Sequence, residues 1–236
     1  MSHLPIPLFH GTSTLFLDSI IESGLGGINP IQKWRILEFA KVIHPLVQEH
    51  IAKDKGFMMK AKTFDLMVEQ ASHFMNFQHG ETYLSPVSDT AIRYAVNKRV
   101  GSELLSYTLD FLQVLVCRNV SGVSSDLYHR YPEIFNLLDI SVAPLLIEVS
   151  SVPVADLLTE DGGDPESTLD YIQKTLQDDK EFSKVLLQQA NFRLKSPVPV
   201  SALKISLINV TQFDLVRPEY TLFEIPATKG QRVDVE

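Results

Sequence analysis

The stretch LFHGTSTLFLDSIIESGL, residues 8–25, decides how the chain is read. Residues 6–9 are apolar and read as a short strand. His10, Gly11 and Thr12 make the turn after it. Thr12 or Ser13 offers a side-chain oxygen to the free N–H groups of the helix that follows. Ile20, Ile21 and Leu25 give that helix an apolar face, and Gly24 is a natural stop. Taken alone, the turn needs a cap and His10 is incidental. The alternative is that the turn is a ligand site.

The rest of the 236-residue chain sets the frame. Its length fits one large domain, or one domain with a sizeable insertion. A net charge of −8 argues against a protein held on nucleic acid by its overall field. The single cysteine, Cys117, allows no internal disulfide and reads as a buried residue in an apolar strand. No apolar run is long enough for a membrane span. The N-terminus lacks a basic region followed by an apolar stretch, so no signal peptide is expected. A cytoplasmic location is expected, and a secreted protein without disulfides fits the cysteine count equally. His3, His44, His50, His73, His79 and His129 show no zinc-like spacing, and no metal is expected. There is no P-loop and no GxGxxG.

Asn29 and Pro30 open a helical pair. Leu37, Ala40, His44, Val47 and Ile51 recur at helical spacing, and Phe64, Met67, Ala71, Phe74 and Gln78 carry a second helix to about His79. Residues 30–79 therefore read as a helical insertion within a single domain spanning 1–236. Lys53, Lys55, Lys60 and Lys62 form a small basic cluster that reads as a solvated connection. After Gly80, residues 81–85 are extended and 89–98 helical. Residues 104–111 alternate, which predicts a half-buried strand, and 113–118 and 145–149 read as further strands. The acidic stretch 156–166 reads as a solvated loop, followed by helices to about residues 177 and 189. Late strands are expected at 192–194, 204–210 and 220–225. The fold class is α+β, with a mostly antiparallel sheet.

Two segments stand out together: Phe9-His10-Gly11-Thr12, and Thr82-Tyr83-Leu84-Ser85 running into Thr90-Ala91-Ile92-Arg93-Tyr94-Ala95. Tyr83 and Tyr94 are eleven residues apart, one ending a strand and the other on the next helix. Two such rings can sandwich a planar, cationic heteroaromatic ring. In this order the segments resemble the ADP-ribosyltransferase superfamily, in its His–Tyr–Glu branch of diphtheria-toxin-like and poly-ADP-ribose-polymerase-like enzymes. The motifs cover residues 8–25 and 82–95. A third segment, Gln188-Gln189-Ala190-Asn191-Phe192-Arg193-Leu194, is similar to the late strand that carries the family's glutamate.

The resemblance implies a split antiparallel sheet and NAD as co-substrate. His10 would bond a ribose hydroxyl. Gly11 would offer its backbone to the nicotinamide carboxamide, and Thr12 would stand near the adenine-side ribose. Tyr83 and Tyr94 would stack the nicotinamide, Ser85 would support the carboxamide, and Gln189 would line the site. Asn191 falls where the family has its catalytic glutamate, so the negative charge is missing there. Gln189, Glu148 or Glu219 could fill that role instead.

The function implied is mono-ADP-ribosyl transfer to a macromolecule, protein or nucleic acid, in the setting of a bacterial or phage toxin or defence component. The helices of 30–79 would engage a protein partner. One alternative is an inactive module of the same fold that binds a nucleotide or a protein. A lesser one is an RNA 2′-phosphotransferase. Those enzymes need arginines near the first motif, and here the first arginine is Arg35.

Overall fold

The computed structural model describes residues 6–71, 80–123, 125–175, 180–188 and 190–226. In chain order the elements are β1 (Leu8–Ser13), α1 (Leu17–Ser23), α2 (Pro30–Lys33), α3 (Ile36–His50), α4 (Met58–Val68), β2 (Tyr83–Leu84), α5 (Ser88–Asn97) and α6 (Glu103–Cys117). Then come α7 (Ser125–Arg130), α8 (Pro132–Asn136), β3 (Pro144–Val149), β4 (Leu157–Thr159), α9 (Glu166–Thr175), α10 (Lys180–Leu187), β5 (Phe192–Leu194), β6 (Leu203–Gln212) and β7 (Glu219–Ile225). The chain is α+β, and every strand pairing among the described residues is antiparallel.

The chain divides into two compact units. The first combines Met1–Ile28, Glu81–Gly101 and Val142–Glu236, and the second combines Asn29–Gly80 with Ser102–Ser141. The helical unit is thus built from two segments, where the sequence pattern marks only 30–79.

The first unit holds a four-stranded sheet in the order β1-β3-β6-β7 and a three-stranded sheet in the order β2-β5-β4. One isolated backbone bridge, Phe9 with Ser85, joins them. Alternation along β1 sends Phe9 and Gly11 to one face of the larger sheet and Leu8, His10 and Thr12 to the other. On the first face lies α5, whose Ala91, Ile92 and Ala95 pack with Leu146 and Ile208 under Phe9, Val96, Val210 and Tyr220. On the other, Leu8, Leu145, Ile147, Val149 and Ile205 are sealed from water.

Gly11 explains how close α5 comes. A Cβ at that position would sit 1.9 Å from the Ala91 carbonyl oxygen and 3.2 Å from the Ala95 nitrogen. The small residues Ala91 and Ala95 complete a backbone-to-backbone contact that any side chain at Gly11 would wedge apart. A second tight point follows α5. Gly101 has φ +74° and lies against Thr12 and Ser13, and a Cβ there would be 2.4 Å from the Ser13 nitrogen.

The hydroxyls of Thr12 and Ser13 therefore do not cap the following helix. Thr12 donates to the Gly101 carbonyl at 3.5 Å and Ser13 to the Val100 carbonyl at 2.7 Å, across 89 and 87 residues of sequence. The stop at Gly24 is as the sequence predicts, with φ +82° and the N–H of Gly24 bonded to the Ile20 carbonyl. The stretch 156–166 is not wholly a loop. Leu157 is fully buried, and 157–159 pair with β5 as β4.

In the second unit α3, α4 and α6 surround a core of Ile36, Phe39, Ile43, Phe64, Phe111 and Leu112. The strands expected at 104–111 and 113–118 are one helix, α6. Ser102 caps it, accepting from the Leu105 N–H, and Leu104, Leu105, Leu109, Leu112 and Leu115 line one buried stripe. The segment is so apolar that periods of two and of 3.6 both fit, and its fifteen residues favour the helix. Cys117 consequently ends a helix and is exposed, not buried in a strand. Lys60 is not merely solvated: it pairs with Asp110 and lies over the Tyr107 ring. Ala71 is described, but the second helix ends at Val68, and the expected positions Phe74, Gln78 and His79 lie outside the described residues.

Gly11→Ala is expected to destabilise the chain by about 3 kcal/mol, the scale of severe core overpacking. Gly56→Ala, where an added methyl meets nothing within 4 Å, is expected to stay within about 0.5 kcal/mol of wild type. Urea denaturation of the two variants compares them directly.

Candidate functional site

The site is built where β1 and β2 part. Phe9 donates its N–H to the Ser85 carbonyl and accepts from the Ser85 N–H, both at 2.8 Å. In an antiparallel ladder, backbone groups two residues along point the same way. The N–H and C=O of Gly11 therefore face the β2 side of β1. The ladder does not continue to them, because the bridge is isolated. Instead the Tyr83 carbonyl accepts from the His10 ring, Nδ1 to oxygen 2.8 Å. On the far side of the bridge the next rung would join Pro7 and Val87, but Pro7 has no N–H, and the Ser85 hydroxyl accepts from the Val87 N–H at 3.2 Å, turning the chain into α5. A single rung is left between the two sheets, with a gap in the ladder beside Gly11, which is itself buried.

The ring of His10 is set in one state. A carbonyl only accepts, so Nδ1 carries the proton and Nε2 presents a lone pair. Burial pushes the imidazole below its ordinary pKa of 6.5, outweighing the upward pull of the Tyr83 carbonyl. At neutral pH the ring is uncharged. Among the described residues Nε2 has no hydrogen-bond partner.

The other expected residues fall as follows. Tyr83 is half-buried on β2. Tyr94 lies on α5, is 37% exposed, and has the Lys98 ammonium 5.9 Å from its ring centroid. Ser85 is buried and committed to the turn into α5. Thr12 is buried, and its hydroxyl secures the turn at Gly101. The backbone of Gly11 faces the gap, but the absence of its side chain serves the contact with α5. Gln189 lies outside the described residues.

Asn191 immediately precedes β5. Leu84 and Thr159 both pair with Phe192, the last pairs of their ladders, and extending that register by one residue puts Ser85, Asn191 and Glu160 in one row just beyond the paired strands. With strands about 4.8 Å apart, that row places Asn191 two strands from Phe9 of β1, on the order of 10 Å. Its side-chain Nδ2 donates to Glu160 Oε2 at 3.2 Å. Of the carboxylates considered as substitutes, Glu148 pairs with Phe9 and lies on the α5 face, whereas His10 pairs with Ile147 on the opposite one. Glu219 is exposed at the start of the outer strand β7. Glu160 is the carboxylate that reaches Asn191, and sequence reading misses it. It stands 31 residues away, and only the β4–β5 register brings it near.

The chain matches no protein-family model, no curated protein and no solved structure. Among the described residues no group of three or more His, Cys, Asp or Glu side chains could hold a metal, and no helix is long and apolar enough to cross a membrane.

The depressed pKa of His10 has a consequence for stability. Between its lowered folded value and 6.5 the unfolded chain binds more protons than the folded one. Acid in that window favours unfolding. The contribution is complete above 6.5 and is lost as the pH falls through it. Urea midpoints of wild type are expected to decline as the pH falls from 6.5 toward the lowered folded value. His10→Gln, which keeps a donor and does not titrate, is expected to show a shallower decline. Parallel curves for the two proteins would remove His10 as the cause.

Proposed function

We propose that the first unit has an ADP-ribosyltransferase-like fold, binds NAD in the gap beside Gly11 and cleaves its nicotinamide–ribose bond. ADP-ribose then passes to a macromolecular acceptor, protein or nucleic acid, in the cytoplasm. The observation that carries this is the parting of β1 and β2 after the Phe9–Ser85 rung. It leaves a neutral His10 with an acceptor nitrogen and a main-chain donor–acceptor pair at Gly11 on adjoining residues. An acceptor nitrogen suits a sugar hydroxyl, and an N–H/C=O pair suits a carboxamide, which carries both complements. Both occur in NAD. The order of the His-Gly-Thr, Tyr-Leu-Ser and Ala-x-x-Tyr-Ala motifs supports the same assignment.

In this reaction the bond from ribose C1′ to the pyridinium nitrogen breaks. Its electron pair goes to the ring, and nicotinamide leaves neutral. C1′ develops positive charge until an acceptor lone pair forms the new bond, and the acceptor's proton passes to solvent. No proton is needed on the leaving group. A neutral His10 is therefore compatible with the chemistry, its part being to hold a hydroxyl rather than to donate an acid proton. Arg35 is paired with Glu38, which gives no support to an RNA 2′-phosphotransferase.

A second reading, a non-enzymatic module that binds the nucleotide, draws on Asn191. An amide aimed where positive charge develops lacks the charge of a carboxylate, a deficit of about 10²–10³ in rate by analogy with other preorganised groups.

The test is mass spectrometry of NAD turnover and of modified macromolecules, alongside calorimetric NAD binding. Wild type is expected to release nicotinamide, and His10→Ala to be slower by about a hundredfold. Binding without turnover selects the module. No binding and no difference between wild type and His10→Ala sinks the proposal.

A further inference from the structure

We infer that Glu160 is a positioning residue that makes Asn191 competent at the site, supplying from the neighbouring strand the negative charge that Asn191 itself lacks. The inference rests on the NAD-cleavage proposal above and concerns how that same site is charged.

The geometry is specific. A carboxylate accepts and does not donate, so the bond of 3.2 Å to Glu160 fixes which end of the Asn191 amide is nitrogen. The Oδ1 of Asn191 is then held at the other end of the amide plane, as an acceptor for a hydroxyl. Donation to an anion also polarises the amide and strengthens that oxygen as an acceptor.

Glu160 is itself held by a tight turn. The Thr159 N–H donates to the Gly163 carbonyl at 3.0 Å, the Gly162 N–H to the Thr159 carbonyl at 2.9 Å, and the Gly163 N–H to the Thr159 hydroxyl at 2.7 Å. That hydroxyl donates in turn to Asp161. The carboxylate thus starts from a fixed backbone, one residue beyond the last β4–β5 pair and beside Asn191. A charge fixed before the reaction stabilises a developing cation without reorganising as it forms. Glu160 acts through Asn191 on the ribose that loses nicotinamide. The bond broken, the electron pair and the acceptor's proton go where the proposed reaction sends them, and no further reactant is required.

The test compares wild type, Glu160→Gln, Asn191→Glu and the double variant, with NAD turnover, calorimetric NAD binding and thermal midpoint read on each. Glu160→Gln keeps an acceptor for Asn191 and removes the charge. It is expected to lower kcat about tenfold or more, with KM and Kd for NAD within about twofold and an unchanged thermal midpoint. In the Asn191→Glu background two carboxylates would stand side by side and oppose each other's ionisation. There, adding Glu160→Gln is expected to raise kcat rather than lower it.

A kcat for Glu160→Gln equal to that of wild type overturns the inference. So does an equal loss in both backgrounds accompanied by a lower thermal midpoint, which would mean that Glu160 only supports its turn. Absence of NAD turnover in wild type is a failure of the proposed function itself. It is recognised before any Glu160 variant is made, and it takes the inference with it.

Discussion

The join between the two sheets of the first unit depends on the pair of backbone hydrogen bonds between Phe9 and Ser85. A sheet normally gains by continuing its ladder, since each further rung satisfies two main-chain groups. Here the ladder stops after one rung because three local choices act together. Pro7 has no donor for the next rung, the Ser85 hydroxyl takes the Val87 N–H and turns the chain into α5, and the His10 ring occupies the carbonyl of Tyr83. The two sheets stay connected at that rung and diverge from it. An unbroken ladder would have consumed the Gly11 backbone groups that now face the gap.

The helix α5 fixes the other side of the arrangement. It docks backbone to backbone on β1 at Gly11, and the segment after it folds back so that Gly101 meets Thr12 and Ser13. The short strand β1 is thereby held by β3 along one edge, by α5 over one face, and by two buried hydroxyl bonds at its end. A histidine whose neighbours are so constrained keeps one tautomer and one direction. This is what a binding group requires and what a titrating acid–base group does not.

Much of this was legible in the sequence where the signal is local. The stop at Gly24, the helix after Val87 and the late strands β5 to β7 all carry their own pattern, whereas β1 runs on through His10, Gly11 and Thr12, where the sequence reads a turn, because β3 pairs with them. What was not legible depends on contacts between distant segments. Thr12 and Ser13 look like caps, and only the fold shows their hydroxyls taken by a turn nearly ninety residues on. Residues 104–111 alternate like a strand because Leu105, Tyr107, Leu109 and Phe111 fall two apart on a helix whose apolar face is broad, which leaves the period ambiguous. Gly11 looks like a position kept small for a ligand, whereas its missing side chain makes room for α5. Glu160 sits in a segment that reads as solvated acid, and its bond to Asn191 exists only because β4 pairs with β5.

The double duty of Gly11 constrains how this chain can vary. The groups it turns toward the gap are main-chain atoms, so no replacement side chain deletes them. The one atom that a replacement would add collides with α5. The packing against α5 therefore demands glycine here by itself, whatever the main-chain groups beside it are used for. Under the proposed function, a change of activity would be recorded first in His10, Tyr94 and Asn191, whose side chains can be exchanged one at a time, and glycine at position 11 would persist for the fold alone.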